Sequence, residues 1–203
     1  MRRLAALLAA TLLTACGQEP GPEPTKDTDA AATEAVATAT PASILPAAEP
    51  RKIGCGDDGA LTATLYGALS GDVSWQADNM YCEGMPRPND AGARLRFAGK
   101  AGDPALAIAF IVAIPALERG ATATELPSVV TVIEEGKGRF FSTPDLDSCW
   151  TDVKAHEALD ESDGTFAIDG ELYCISPVPE VNGDTSVSIE EMRFSGLVDW
   201  GSS

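Results

Sequence analysis

Beyond residue 50 the chain carries four cysteines, Cys55, Cys82, Cys149 and Cys174, and their spacing decides which sulfur chemistry is open to them. Neither a Cys-x-x-Cys pair nor a Cys-His cluster is present, so a zinc centre and a dithiol redox centre both lack the ligand spacing they need. An even set of well-separated cysteines in an exported chain reads as disulfides. Four cysteines allow three pairings, and proximity in sequence favours Cys55 with Cys82 and Cys149 with Cys174. Each bridge would close a loop of about 25 residues and contribute roughly 3 kcal/mol by restricting the unfolded chain.

His156 is the only histidine, so any Ser-His-Asp or Cys-His mechanism must use it as the base. No Gly-x-Ser-x-Gly elbow precedes it, and its place between Ala155 and Glu157, ahead of an acidic turn, predicts a solvated hairpin position. Carboxylates recur at Asp57 and Asp58, at Asp145 and Asp147, through Asp160 to Asp163, and at Asp184 after Asn182. Two carboxyls roughly 5 to 10 Å apart would suit glycoside hydrolysis. Most of these adjoin Gly or Pro, however, and read as turn formers. Asp160, Ser162 and Gly164 hint at a calcium loop but lack the alternating Asp series and the closing Glu of an EF-hand. Phosphate-cradling and dinucleotide-binding glycine motifs are absent as well. The expectation is a non-enzymatic protein with no catalytic residue, metal or cofactor to assign.

The formal net charge of -17 repels phosphate backbones and anionic headgroups, which argues against nucleic-acid binding and against a basic membrane-binding face. At the start of the chain, Arg2 and Arg3 precede the apolar run Leu4 to Leu13, which is too short to span a bilayer and reads as an export signal. The Leu13, Thr14, Ala15, Cys16 sequence that follows resembles the lipobox of bacterial lipoproteins. That resemblance, confined to residues 1–17, implies cleavage after residue 15 and a diacylglycerol on the Cys16 thiol. The membrane would then be a partner through this covalent lipid, because each buried methylene contributes about 0.8 kcal/mol and two chains hold where one does not. Gly17 stands where proteobacterial lipoproteins retained in the inner membrane carry Asp, so the outer membrane is the favoured location, with the protein facing the periplasm or the cell surface.

Three regions follow from composition: a signal peptide over 1–15, a lipidated Cys16 with a Pro, Ala, Thr and Glu-rich linker over 16–50, and one domain over 51–203. The linker has little to bury and reads as a flexible tether with a reach of about 30 to 35 Å. The domain alternates short apolar-polar segments with Gly, Asp, Asn and Pro clusters, the pattern of strands and turns. Strands are expected over 61–67, 72–81, 93–98, 129–134, 139–142, 149–154 and 165–175, and over 186–200 with a break. Hairpin turns are expected through Glu134 to Gly138 and through Asp160 to Gly164. The row Leu106, Ile108, Phe110, Val112 and Ile114 has period two and favours a strand over 105–114, although Asp103-Pro104 and the intervening alanines would also suit a helix. One helical turn is expected over 115–120. The sum is an all-β fold, an antiparallel sandwich or open barrel of about eight or nine strands.

Two echoes run through the domain: Leu69 to Trp75 resembles Phe194 to Trp200, and Tyr81-Cys82 with Arg96, Phe97 and Gly99 resembles Tyr173-Cys174 with Arg193, Phe194 and Gly196. They fit either duplicated hairpins or recurring strand composition. Trp75 and Trp200 are read as core, and Trp150 as packing on the disulfide of Cys149. The functional expectation is a lipid-anchored structural or protein-interaction module of the cell envelope, its protein partner unspecified. A carrier that holds an apolar ligand along the Leu106 to Ile114 row, and an envelope hydrolase with paired carboxylates, are the alternatives.

Overall fold

A computed structural model describes residues 54–88, 91–102, 106–160 and 164–201. The segments expected to form a signal peptide, a lipidated Cys16 and a linker lie outside the described residues, as does the 161–163 part of the expected acidic turn. Within the described residues the chain forms strands β1 (Ala60–Gly67), β2 (Gly71–Gln76), β3 (Tyr81–Pro86), β4 (Ala93–Ala101), β5 (Leu106–Ile114) and β6 (Ala123–Glu134). They are followed by β7 (Arg139–Ser142), β8 (Cys149–Asp160), β9 (Thr165–Cys174), β10 (Val178–Pro179) and β11 (Ser186–Asp199). All pair antiparallel in one sheet of order β2-β1-β11-β9-β8-β6-β5-β4-β3, with β7 on β6 and β10 on β11. The fold is all-β, of the sandwich or open-barrel kind, and the sheet is not closed.

Its two layers are joined by β6. Residues Ala123 to Ser128 pair with β8, whereas Val129 to Glu134 pair with β5, so the strand passes from one layer to the other. A register shift between Ala123 and Leu126, with Glu125 at φ 55°, marks a bulge in the part paired with β8, ahead of the switch of partners after Ser128. β11, with 14 residues, is longer than any of its partners, and β6, with 12, is longer than β5 and β7. The β8–β9 pair lies between β6 and β11 at one end, and β7 with β10 at the other, linked through a Phe141–Glu180 bridge. The break foreseen in the last strand is a bulge in β11: Thr62 pairs with Arg193 but Thr64 with Glu190, and Glu191 has φ 34°.

Alternation explains the core. On β5, Ile108, Phe110, Val112 and Ile114 all point inward and are buried, so period two prevails over the helix propensity of the intervening alanines. Trp75 meets Phe110 edge-on at 5.8 Å, and Phe97 of one layer meets Phe194 of the other at 5.5 Å between centroids. Glycine permits two close approaches: a Cβ at Gly99 would lie 2.7 Å from the Trp75 ring, and one at Gly84 would lie 2.0 Å from the Leu197 carbonyl oxygen, where β3 crosses β11.

Cys55 is bonded to Cys82, and Cys149 to Cys174. The first bridge ties the approach to β1 to β3 and so links the two layers, whereas the second joins directly opposed residues of neighbouring strands. Two expectations are corrected, and the echoes are tested by register. The 72–81 segment is two strands divided by a turn at Ala77 to Asn79, in which Asn79 accepts a bond from the Gln76 N–H at 2.9 Å. Residues 115–120 make two successive turns, closed by Leu117 onto Ile114 and by Ala121 onto Glu118, with no helical turn. Of the echoes, Phe97 and Phe194 do meet, but Phe97 lies opposite Cys82 and Phe194 opposite Gly170, so the likeness does not extend to strand register.

Candidate functional site

The lone histidine is buried, not solvated. β8 runs six residues past its expected end at Lys154, and a bulge between Val153 and Ala155 shifts the parity of its side chains, turning His156 inward. His156 is 3% exposed. Its Nδ1 donates to the Ala121 carbonyl at 3.3 Å and its Nε2 accepts the Trp200 indole N–H at 3.1 Å, which defines the tautomer. Phe166 and Trp200 cover the ring at centroid distances of 5.3 and 5.7 Å. Burial holds its pKa below the ordinary imidazole value, against the opposing pull of the Ala121 and Glu118 carbonyls. A neutral imidazole with both nitrogens engaged is an architectural group joining β8 to the end of β11.

A charged cluster around Arg139 is likewise closed on itself. Glu134, 1% exposed, accepts Lys137 Nζ at 2.7 Å and an Arg139 guanidinium nitrogen at 3.2 Å. Arg139 also grips Glu180 through two nitrogens at 2.8 and 3.2 Å, donates to Thr185 Oγ1 at 2.9 Å, and lies 5.0 Å over the Phe141 ring. The hydrogen bonds from Arg139, then that from Thr185, bring the Glu180 pKa down to about 2. A general acid at neutral pH needs the opposite shift. Asp152 is also held below the carboxylate range, by Lys154 first and by the backbone N–H of Glu125. These carboxylates clamp strands together.

Asp145 accepts the Asp147 N–H at 3.1 Å and the Ser148 hydroxyl at 2.8 Å, the bonding of a turn former. Asp57, Asp58 and Asp184 are exposed. Among the described residues no three His, Cys, Asp or Glu side chains converge as a metal site would require. No buried side-chain nitrogen or oxygen among them lacks a partner.

Two of several shallow openings in the described surface lie on the outer faces. One, of about 290 Å³, is lined by Thr62, Lys154, Glu171 and Arg193 on β1, β8, β9 and β11. The other, of about 560 Å³, is lined by Tyr81, Arg96, Lys100 and Glu135, and there Arg96 stacks 5.3 Å over Tyr81 while bonding Glu135 at 2.6 Å. The Ile108 to Ile114 row that suggested an apolar carrier is packed into the core.

Trp150 does not lie on its neighbouring disulfide. Adjacent residues of a strand point to opposite faces, so with Cys149 inward Trp150 turns out and stacks on Tyr173, 6.0 Å away with planes 23° apart. Tyr173 belongs to a set of large apolar side chains left on the surface that includes Phe140, Leu146, Ile175 and Val181. Their alternation at 173, 175 and 181 is visible in the sequence, but reading each strand as one buried and one polar face passes over it. Such an antiparallel, disulfide-bonded β domain, with its buried polar side chains bonded internally and a set of large apolar side chains on its surface, is the class that fold and surface define. Comparison with protein-family models, curated proteins and solved structures finds no match to the chain.

Proposed function

We propose that this chain is a lipid-anchored cell-envelope protein whose β domain acts as a structural or protein-interaction module. The observation that carries the reading is the distribution of unused groups. The buried side-chain nitrogens and oxygens of the described residues have partners within the fold, whereas Phe140, Leu146, Tyr173, Ile175 and Val181 are left exposed. Side chains of that kind contribute to association, not to bond making.

Two disulfides support an oxidising compartment, in keeping with the lipobox resemblance at Cys16. Anchorage there would hold the domain at the outer membrane, on its periplasmic or outer side. Intact mass spectrometry of the protein extracted from its native membranes tests this reading. The expected result is a chain that begins at Cys16 and bears acyl groups there, with four further cysteines alkylated only after reduction. Cys16→Ser is expected to leave an uncleaved or soluble precursor; an acylated, detergent-phase product from that variant would refute the anchor.

A further inference from the structure

β9 and β10 are two stretches of one run lying antiparallel along β11, with a bend at 175–177 between them. Along this run Leu172 and Val178 point inward and are fully buried. The alternate positions Tyr173, Ile175, Pro177, Pro179 and Val181 are all exposed, with Ile175 at 72% and Val181 at 50%. Five successive outward positions are therefore apolar where a solvated strand alternates with polar residues. Trp150 stacks on Tyr173 at one end, and at the other the Val181 N–H bonds the carbonyl of exposed Phe140 at 2.7 Å. Leu146 lies close by, in the loop whose Ser148 carbonyl accepts the Ile175 N–H at 3.0 Å. A surface of this kind marks an interaction site.

We propose that this row, with the Trp150–Tyr173 stack, docks an extended protein segment in which apolar side chains alternate with arginine or lysine. The proposal rests on the interaction-module reading and names its surface and the chemistry of its partner. Charge selects the occupant. Exposed Asp145 and Asp147 flank Leu146. Glu125 and Asp152 both act electrostatically on Tyr173, opposed there by Lys154, which is itself bonded to Asp152 at 2.8 Å. A second copy would bring the same acidic rim, and a net charge of -17, against its like; anionic lipid or nucleic acid would be repelled in the same way. A guanidinium or ammonium group instead finds carboxylates at the rim and stacked aromatic faces at the end. Positions 173 to 181 span about 25 Å when extended, so a partner strand of some nine residues matches the row one alternate side chain at a time.

The test uses the full processed chain in phosphatidylcholine nanodiscs and a fluorescein-labelled nonapeptide of alternating leucine and arginine. Fluorescence anisotropy should saturate at micromolar protein, with binding weakened at least tenfold by Tyr173→Ser with Ile175→Ser and unchanged by Tyr66→Ser, an exposed tyrosine on β1. Phe140→Ser with Val181→Ser supplies a second variant at the far end of the row, and unaltered disulfides and melting show that each variant is folded. A leucine–glutamate peptide should not bind. Equal binding of the two peptides, or wild-type binding by both double variants, would overturn the proposal. Photo-crosslinking in cells from position 175, 66 or 81 separates this failure from that of the broader reading. Crosslinks to protein from 66 or 81 but not from 175 would remove this surface and leave the module; none from any position would remove both.

Discussion

Replacing Cys55 and Cys82 together by alanine isolates what holds the two layers in place. The bridge closes a separation of 27 residues, and the chain-entropy relation assigns about 3.5 kcal/mol to a loop of that length. Against the roughly 5 to 15 kcal/mol of an ordinary domain, that is a large fraction. For a domain of about 150 residues it corresponds to a fall in Tm of roughly 7 to 14 °C. Both sulfurs are buried, Cys55 at 7% and Cys82 at 3% exposure, so truncation adds a cavity cost of the same sign. The assay is urea unfolding of the oxidised protein and the double variant, followed by circular dichroism and tryptophan fluorescence together. The m-value should rise, because the unlinked chain exposes more surface when unfolded. The matching Cys149→Ala, Cys174→Ala variant is the control: its separation of 25 residues predicts nearly the same loss, although it joins strands already paired in register. Losses below about 1 kcal/mol for the cross-layer pair, or an unchanged m-value, would refute the unfolded-chain account.

Gly99→Ala places a methyl 2.7 Å from the buried Trp75 ring, whose indole N–H is fixed to the Lys100 carbonyl at 2.7 Å; a loss of about 1 to 3 kcal/mol is expected in urea unfolding, with a shifted tryptophan emission. Acid should destabilise the domain in two steps. The His156 pKa is lowered in the folded state, so its contribution is present above the ordinary imidazole value and is lost as the pH falls below it, when the unfolded chain takes the proton. The Glu180 contribution is present above the ordinary carboxylate value and is lost as the pH falls towards about 2. His156→Gln should flatten the first step and Glu180→Gln the second in unfolding midpoints measured against pH; unaltered profiles would contradict the assignments.

Most of the architecture was legible because it rests on period-two alternation and turn chemistry. The Ile108 to Ile114 row, the Gly136 and Gly138 turn and the strand at 139–142 all follow from local pattern. The pairing of cysteines by proximity matches the two bridges formed. Other features were hidden because they depend on parity or on distant partners. A single bulge after Val153 decides which way His156 faces, and no local residue pattern announces it. The Ala77 to Asn79 turn was masked because the strands on either side continue the alternation, yet one pairs with β1 and the other with β4. Glu134 reads as part of a solvated hairpin turn until Arg139, fixed by Glu180 from a remote segment, is brought beside it.

The places where the alternation rule fails sort into two kinds. Polar groups turned inward are compensated: Ser128 and Thr151 bond each other at 2.8 Å, Ser128 also bonds the Leu126 carbonyl at 2.9 Å, and Thr143 accepts the Val130 N–H at 3.1 Å. These sit on or beside β6, around its passage between layers, and hydrogen bonds formed within the molecule account for them. The apolar groups turned outward at Ile175, Pro177, Pro179 and Val181 have no equivalent compensation, because their exposed area makes no contact within the domain. They also occur together on one run and not singly across the surface, which is how scattered exposed leucines and valines are normally found. A local rule broken without an internal gain is the mark of a requirement set from outside the fold. That contrast, more than the exposure of any one residue, directs the search for function to the outer face of β9 and β10.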